Sequence, residues 1–174
     1  MLTNLRYRLA KQAMNSKFVS APARGIKLHE YQAGALLNTY KVAIPIGEVV
    51  HEAEEAFNVA KKFENGCVVK SQILGGGRGM GYFKENNFQG GVHVVDDAEQ
   101  ARKVASKMLH NHLVTKQSGE EGLPVSFLYL VQKLNIDKEM YLSITLDRAA
   151  GCPVFVYSAA GGMSIEDVAH EDPS

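Results

Sequence analysis

The chain has 174 residues, of which 45% are hydrophobic and 22% are charged, a length that suits one domain. Its 19 Lys and Arg residues balance 19 Asp and Glu residues, and a net charge of zero argues against a general nucleic-acid-binding protein. The sequence contains no apolar run near the roughly 20 residues that a membrane-spanning helix requires. We therefore expect neither nucleic acid nor a membrane among its partners.

The charge is unevenly distributed, because residues 1–27 contain six basic residues and no acidic residue. Leu2, Leu5 and Leu9 recur there at helical spacing, and the segment lacks the apolar stretch of a secretory signal. An amphipathic, Arg-bearing and acid-free N-terminus is typical of a mitochondrial transit peptide. We predict that residues 1–27 direct the protein to the mitochondrial matrix or to a mitochondrion-related organelle; the alternative is a disordered basic N-terminus.

Hydrophobic periodicity predicts alternating helices and strands after this segment. In chain order they are helix 28–40, strand 46–50, helix 52–64, strand 67–73, strand 92–95, helix 96–111, and strands 125–132, 140–146 and 153–157. Asp96 is the predicted N-cap of the third helix, with Glu99 completing a capping box. Because the last three strands are consecutive, we expect a meander and a mixed α+β fold, not a regular doubly wound sheet.

The two cysteines, Cys67 and Cys152, lie far apart in the sequence and form no C-x-x-C motif. This pattern is typical neither of a zinc site nor of a disulfide framework. Both lie in apolar runs, so the sequence predicts two small buried side chains, as in a reducing compartment.

The stretch 68–81, VVKSQILGGGRGMG, carries the strongest indication of a site. Lys70 lies within an apolar strand, where a lysine needs an anionic partner. The glycine-rich loop that follows can turn its backbone N–H groups toward an anion, and Arg78 adds a guanidinium that matches phosphate oxygens. The loop fits neither the Rossmann fingerprint nor the P-loop. From these residues alone, phosphate binding and a flexible hairpin loop remain equally supported.

Other candidate groups are less informative. Glu139 begins a predicted strand and could face a ribose hydroxyl or a metal, although a solvated charge at a strand entry is the more common case. None of the six histidines accompanies a nucleophile motif, and no G-x-S-x-G hydrolase motif is present. The residues themselves therefore favour a binding site over a catalytic centre.

Several short motifs then occur in one order: LHEYQA at 28–33, VVKSQILGGGRG at 68–79, GGV at 90–92, KEMYL at 138–142, DR at 147–148 and GGMSIEDVA at 161–169. In this order they resemble the β subunit of succinate–CoA ligase (succinyl-CoA synthetase), from about residue 28 to the chain end. The resemblance implies an ATP-grasp fold, in which two α+β subdomains clamp a nucleotide.

The resemblance also implies an activity in the tricarboxylic acid cycle. Succinate, CoA and ATP (or GTP) would be interconverted with succinyl-CoA, the nucleoside diphosphate and phosphate. The expected partner is the α subunit, which carries the phosphorylated histidine in this family, so we assign no catalytic residue to this chain. Similar motifs occur in malate–CoA ligase and in the ATP-grasp part of citrate lyase, which stay open as alternatives.

Site residues follow from the matching motifs. Lys70 resembles the family's phosphate-binding lysine, and Gly77, Arg78 and Gly79 resemble its nucleotide loop. Glu139 resembles a nucleotide-contacting glutamate. Cationic side chains and backbone donors in these places would neutralise phosphate charge.

Two further positions concern the base and the sugar, and a third, Met80, concerns the charge of the loop. Pro45 stands where the family differs between adenine and guanine preference, and proline there resembles the ATP-preferring members. Gln132 aligns, with a one-residue gap, to a glutamate near the ribose and purine, and an amide accepts hydrogen bonds less strongly than a carboxylate. Met80 replaces a lysine that often follows the loop in relatives.

The family's Mg²⁺ ligands and its CoA-ligase domain lie beyond residue 174 in the resembling proteins. We therefore expect residues 28–174 to form a partial ATP-grasp domain, truncated before its second half is complete. Because phosphoryl transfer relies on Mg²⁺, we also expect the isolated chain to be inactive. A non-catalytic nucleotide-binding or assembly fragment is the alternative.

Overall fold

The computed structural model describes residues 26–159 and 161. Its elements in chain order are α1 (Glu30–Thr39), β1 (Gly47–Val50), α2 (Ala53–Ala60), β2 (Cys67–Ser71), a 3-10 turn (Arg78–Met80), β3 (Tyr82–Phe83), β4 (Val92–Val95), α3 (Ala98–Met108), β5 (His112–Val114), β6 (Leu123–Pro124), β7 (Leu128–Gln132), β8 (Tyr141–Asp147) and β9 (Cys152–Ser158). The predicted mixed α/β class is confirmed.

A four-stranded antiparallel sheet forms the centre of the described part, in the order β1–β7–β2–β4. The late strand β7 lies between β1 and β2, with Lys70 opposite Tyr129 and Cys67 opposite Gln132. Because the side chains of a strand alternate between the two faces of its sheet, this register fixes which candidate residues share a face.

Helices α2 and α3 cover one face of the sheet. Ala56 and Ala60 of α2 and Ala101 and Ala105 of α3 are all buried. Small side chains let the two helices approach each other and the sheet closely. On this face β2 contributes every second residue of its sequence to the core, Cys67, Val69 and Ser71.

The opposite face of the sheet presents the other residues of β2, Val68 and Lys70, which are half-buried. The first turn of α1 lies against this face, where the ring of Tyr31 is 6.3 Å from the ring of Tyr129. Tyr129 also covers Gly47, since a Cβ atom added there would lie 2.6 Å from the tyrosine ring. We call this side, with Lys70 and Tyr129, the open face.

Two smaller sheets complete the described part. Strands β3, β5 and β6 form a three-stranded sheet beside the glycine-rich loop, and β8 pairs with β9 in a hairpin. Facing pairs of the hairpin include Leu142 with Tyr157 and Ile144 with Phe155, all largely exposed.

The structure corrects several predictions about elements. The last three strands do not form a meander, because β7 inserts into the central sheet while β8 and β9 pair with each other. The N-cap of α3 is Asp97, whose side chain accepts a hydrogen bond from the backbone N–H of Gln100 (2.8 Å), and not Asp96. Strands β3, β5 and β6 are too short for their pattern to stand out in the sequence.

The prediction of two buried cysteines is correct for Cys67 and wrong for Cys152, which is exposed on the hairpin. The apolar run around Cys152 reflects strand formation without burial. The predicted transit peptide, apart from its last two residues, lies outside the described residues. Within the described ranges, no helix is long and apolar enough to cross a membrane.

Candidate functional site

Lys70 projects from β2 on the open face, and its side chain is about three-quarters shielded from solvent. Its Nζ donates to Oε1 of Glu30 at 2.8 Å. The flanking strands place Val92 and Tyr129 opposite it. The ammonium of Lys70 is therefore paired with a carboxylate from helix α1. A partly buried lysine in an apolar strand needs such a partner.

Arg78 reaches the same place from the glycine-rich loop. One terminal nitrogen of its guanidinium donates to the backbone carbonyl of Ser71 at 3.0 Å, and the other pairs with the second carboxylate oxygen of Glu30. Since Ser71 is the last residue of β2, the loop folds back so that Arg78 and Lys70 meet at the end of one strand. Lys70 and Arg78, two of the candidate residues from the sequence, therefore share one carboxylate.

Glu30 is the residue that joins the two cations, and the sequence analysis assigned it no role. It is the first residue of α1, within the LHEYQA motif. Burial alone would raise the pKa of its carboxyl, but the hydrogen bond from Lys70 and the charge of Arg78 outweigh that effect and lower the pKa. Acidic residues are common at the start of a helix. The sequence therefore gives no indication that Glu30 contacts Lys70, 40 residues later in the chain.

A cluster of aromatic rings holds the start of α1 on the open face. The ring of Phe127 lies 5.0 Å from that of His29 and 5.7 Å from that of Tyr31, both in edge-on arrangements. The backbone N–H of His29 donates to Oε1 of Gln32 at 3.0 Å, which satisfies one of the donors at the helix start. These contacts fix the place from which Glu30 extends.

The glycines of the loop have different roles. Gly77 adopts a left-handed φ of 75°, which favours glycine, while a Cβ atom added to Gly79 would meet no atom within 4 Å. Gly91, from the GGV motif, donates its N–H to the carbonyl of Arg78 at 2.8 Å and leaves no room for a side chain. Gly77 and Gly91 therefore shape the loop, and Gly79 leaves open space beside it.

The structure places Gln132 and Pro45 near each other, away from the cation pair. The N–H of Gln132 donates to the carbonyl of Ile46 at 2.8 Å, next to Pro45. Gln132 also lines a surface pocket of about 460 Å³ with Asn65, Lys133, Leu134 and Asn135. By register Gln132 lies opposite Cys67 and therefore on the helix-covered face, whereas Lys70, three residues later in β2, lies on the open face.

Glu139 lies at the entry to the hairpin and is exposed. A Cβ atom added to Gly161 would lie 2.9 Å from the Cβ atom of Glu139, so these two segments touch. Glu30, not Glu139, is the carboxylate next to Lys70 and Arg78 in the described part of the chain.

The arrangement presents two cations and one carboxylate on a partly enclosed surface. The carboxylate shows that an oxyanion fits between the two side chains, and Arg78 brings the glycine-rich loop to the same place. Fixed donors of this kind stabilise phosphate oxygens. The geometry suits binding of a phosphate group more than proton transfer, because the charged groups are already paired with one another.

Comparisons with known proteins agree with this chemistry. Residues 27–174 match the ATP-grasp domain family. The tomato (Solanum lycopersicum) protein named mitochondrial ADP-forming succinate–CoA ligase subunit beta is 44% identical over 171 residues, which cover 95% of this chain and 40% of that protein. The Saccharomyces cerevisiae protein of the same name is 40% identical over 161 residues, covering 92% of this chain and 38% of that protein.

A bacterial protein from Koribacter versatilis, named ADP-forming succinate–CoA ligase subunit beta, is 46% identical over 153 residues, covering 86% of this chain and 37% of that protein. The chain thus spans about 40% of the length of the curated relatives it matches.

Proposed function

The chain belongs to the ATP-grasp domain family, as its motifs predicted, and from this premise we propose that it forms the nucleotide-binding part of the β subunit of a succinate–CoA ligase. The observation that carries the proposal is the meeting of Lys70 and Arg78 at one carboxylate. In the proposal, residues 28–174 form the partial ATP-grasp domain, and residues 1–27 are a transit peptide that directs the protein to the mitochondrial matrix.

The proposed ligand is ATP or its diphosphate. Lys70 and Arg78 bind its phosphate groups, and the backbone N–H groups of Gly77 and Gly79 donate to them. Gly79 supports this role, since the open space beside it admits a ligand close to the backbone. Cations and amides fixed before the ligand arrives neutralise phosphate charge without reorganising.

We assign the purine and ribose to the end of the sheet where β2 begins and β7 ends. Pro45 and Gln132 lie on adjacent chain segments there, joined through the carbonyl of Ile46. The three residues from Cys67 to Lys70 span about 10 Å of an extended strand. Because Gln132 is the last residue of β7 and its side chain lies on the face opposite Lys70, the base would bind at the end of the sheet, where the two faces meet. Glu139 is proposed to approach the nucleotide from the hairpin.

In the proposed whole enzyme, an α subunit supplies the histidine that carries the phosphoryl group, and succinate and CoA are the other substrates. The relatives' names support succinate over malate or citrate and adenine over guanine nucleotides. Two of the three relatives are named mitochondrial, which supports the proposed location.

The resemblance also leads to an expected Mg²⁺ ion. Within residues 26–159 and 161, no group of three or more His, Cys, Asp or Glu side chains could hold a metal ion. The described residues therefore do not fit that ion, and we assign no step to it.

Titration of the chain with ATP in a calorimeter tests the proposal. We expect Lys70→Gln and Arg78→Gln each to weaken binding by at least about tenfold, because each removes a charge-assisted hydrogen bond to phosphate. The matched control is Lys62→Gln, since Lys62 pairs with Glu48 at 2.7 Å on the helix-covered side. Equal affinities in all four proteins would contradict the proposed site.

A further inference from the structure

Glu30 contacts both cations of the proposed phosphate site, and each cation comes from a different part of the chain. Lys70 belongs to a strand, Arg78 to a glycine-rich loop, and Glu30 to the first turn of α1. The side chains of Lys70, Arg78 and Glu30 are 22%, 25% and 34% exposed, so all three share one partly enclosed place. The helix start therefore touches the site directly.

The carboxylate counters the repulsion between the two cations. Lys70 and Arg78 carry like charges, which would otherwise separate as far as the flexible loop allows. With Glu30 between them, the guanidinium is held at both ends, by Glu30 and by the carbonyl of Ser71. Arg78 is thereby fixed although several glycines flank it.

Glu30 does not exhaust the donors of either cation. An ammonium and a guanidinium each carry more N–H groups than these contacts use. A phosphate oxygen can therefore bind the remaining N–H groups while the carboxylate stays in place.

Glu30 is also poorly placed to leave. Its neighbours His29 and Tyr31 pack against Phe127, and Tyr31 approaches Tyr129 of the sheet. A carboxylate on such an anchored helix start is a fixed support, whereas a mobile competitor for the phosphate site would need freedom to swing away.

We propose that Glu30 is a positioning residue, which holds Lys70 and Arg78 together in the orientation that binds the phosphates of the nucleotide. The inference rests on the proposed function, because it assumes that these two cations receive phosphate. Such a site is preformed, because the two flexible cationic side chains are already ordered before the ligand arrives.

A competing role for Glu30 predicts the opposite change in ATP affinity. If Glu30 competed with phosphate for the cations, its removal would strengthen ATP binding, since a negative charge would leave the site. A positioning role predicts that its removal weakens binding. The direction of the change thus separates the two roles.

The test measures the dissociation constant of ATP by calorimetry for the unmodified chain, Glu30→Gln and the matched control Glu48→Gln. Glu48 is also a carboxylate paired with a lysine, but it lies on the helix-covered side. We expect Glu30→Gln to weaken binding about tenfold, because Lys70 and Arg78 lose the carboxylate that orients them, and Glu48→Gln to leave it unchanged. Unchanged or tighter binding in Glu30→Gln would overturn the inference.

Two further variants show how Glu30 acts. Glu30→Asp keeps the charge and should recover part of the lost affinity. In a chain that already carries Arg78→Gln, the loss from Glu30→Gln should shrink, because one of the side chains it positions is gone. A full, additive loss in that background would also overturn the inference.

The result separates this inference from the proposed function. If Lys70→Gln and Arg78→Gln weaken ATP binding and Glu30→Gln does not, the phosphate site stands and the positioning role is wrong. If none of the three weakens binding, both are wrong. Circular dichroism of each variant at the titration temperature establishes that the folded protein is compared.

Discussion

The central sheet and the β8–β9 hairpin are both antiparallel and apolar, yet their side chains have opposite surroundings. Leu130 of the sheet is fully buried, whereas Leu142 of the hairpin is 69% exposed. Lys70 of the sheet is held by Glu30, whereas Glu139 at the hairpin entry is exposed. Strand formation and burial are therefore separate properties. The apolar pattern of the sequence produces strands in both regions. Helices α2 and α3 bury one face of the central sheet, and the start of α1 and the glycine-rich loop cover part of its open face.

The largest expected effect contrasts two leucines. Leu130→Ala should destabilise the protein by about 2–5 kcal/mol, because it opens a cavity in a packed core. Leu142→Ala should change the free energy of unfolding by less than about 0.5 kcal/mol, as for an exposed side chain. Urea denaturation measures both. Equal losses would remove the distinction between the two regions.

The two cysteines give a second contrast. Burial raises the pKa of the Cys67 thiol to about 11, whereas Cys152 is exposed on the hairpin. At about pH 8 we expect Cys152 to react with a thiol reagent at least about 100-fold faster than Cys67, because thiolate is the reactive form. Mass spectrometry of the labelled peptides measures the ratio, and Cys152→Ser should abolish the fast phase. Rapid labelling of Cys67 would show that the sheet opens readily.

A third contrast lies within the glycine loop. Gly91→Ala should cost about 1–3 kcal/mol, because the new Cβ would lie 2.6 Å from Leu113 and 2.8 Å from the carbonyl of Arg78. Gly79→Ala should leave stability unchanged, since no atom lies within 4 Å, but should weaken ATP binding if the ligand fills that space. Thermal unfolding and ATP titration of both variants measure this. A destabilised Gly79→Ala would show that the space belongs to the fold.

The smallest expected effect concerns acid. The carboxyl of Glu30 has a lowered pKa in the folded protein, so its ion pairs stabilise the fold above the unfolded value of 4.5 and this contribution is lost as the pH falls through the folded value. Because the pairs are partly exposed, the loss should stay below about 1 kcal/mol. Urea denaturation between about pH 7 and pH 3 should show a smaller decrease for Glu30→Gln than for the unmodified chain. Parallel curves would contradict the ion pairs.

The sequence predicts most of the helices and strands and the two cations of the candidate site. Periodicity located the three helices and the strands of the central sheet, and Lys70 with Arg78 stood out because a lysine in an apolar strand preceded an unusual density of glycines. The order of the strands was not predictable, since no local pattern says that β7 inserts between β1 and β2. The exposure of Cys152 was missed for the same reason, because burial depends on what packs against a strand.

Glu30 illustrates what sequence reasoning loses. It lies 40 residues from Lys70 and 48 from Arg78, and its contact with them depends on the aromatic cluster that seats α1 on the open face. Gly91 belongs to the GGV motif, but its sequence position does not indicate that its N–H donates to the carbonyl of Arg78. Both are residues whose role arises from a long-range approach between elements.

The most direct test of the proposed phosphate site is to map ATP binding on the backbone amides by heteronuclear NMR. We expect the largest shifts on titration at Lys70, at Gly77 to Gly79 and at Glu30, with smaller shifts toward Gln132. Shifts confined to surfaces away from these residues, such as the pocket between Lys84 and Glu121, would contradict it.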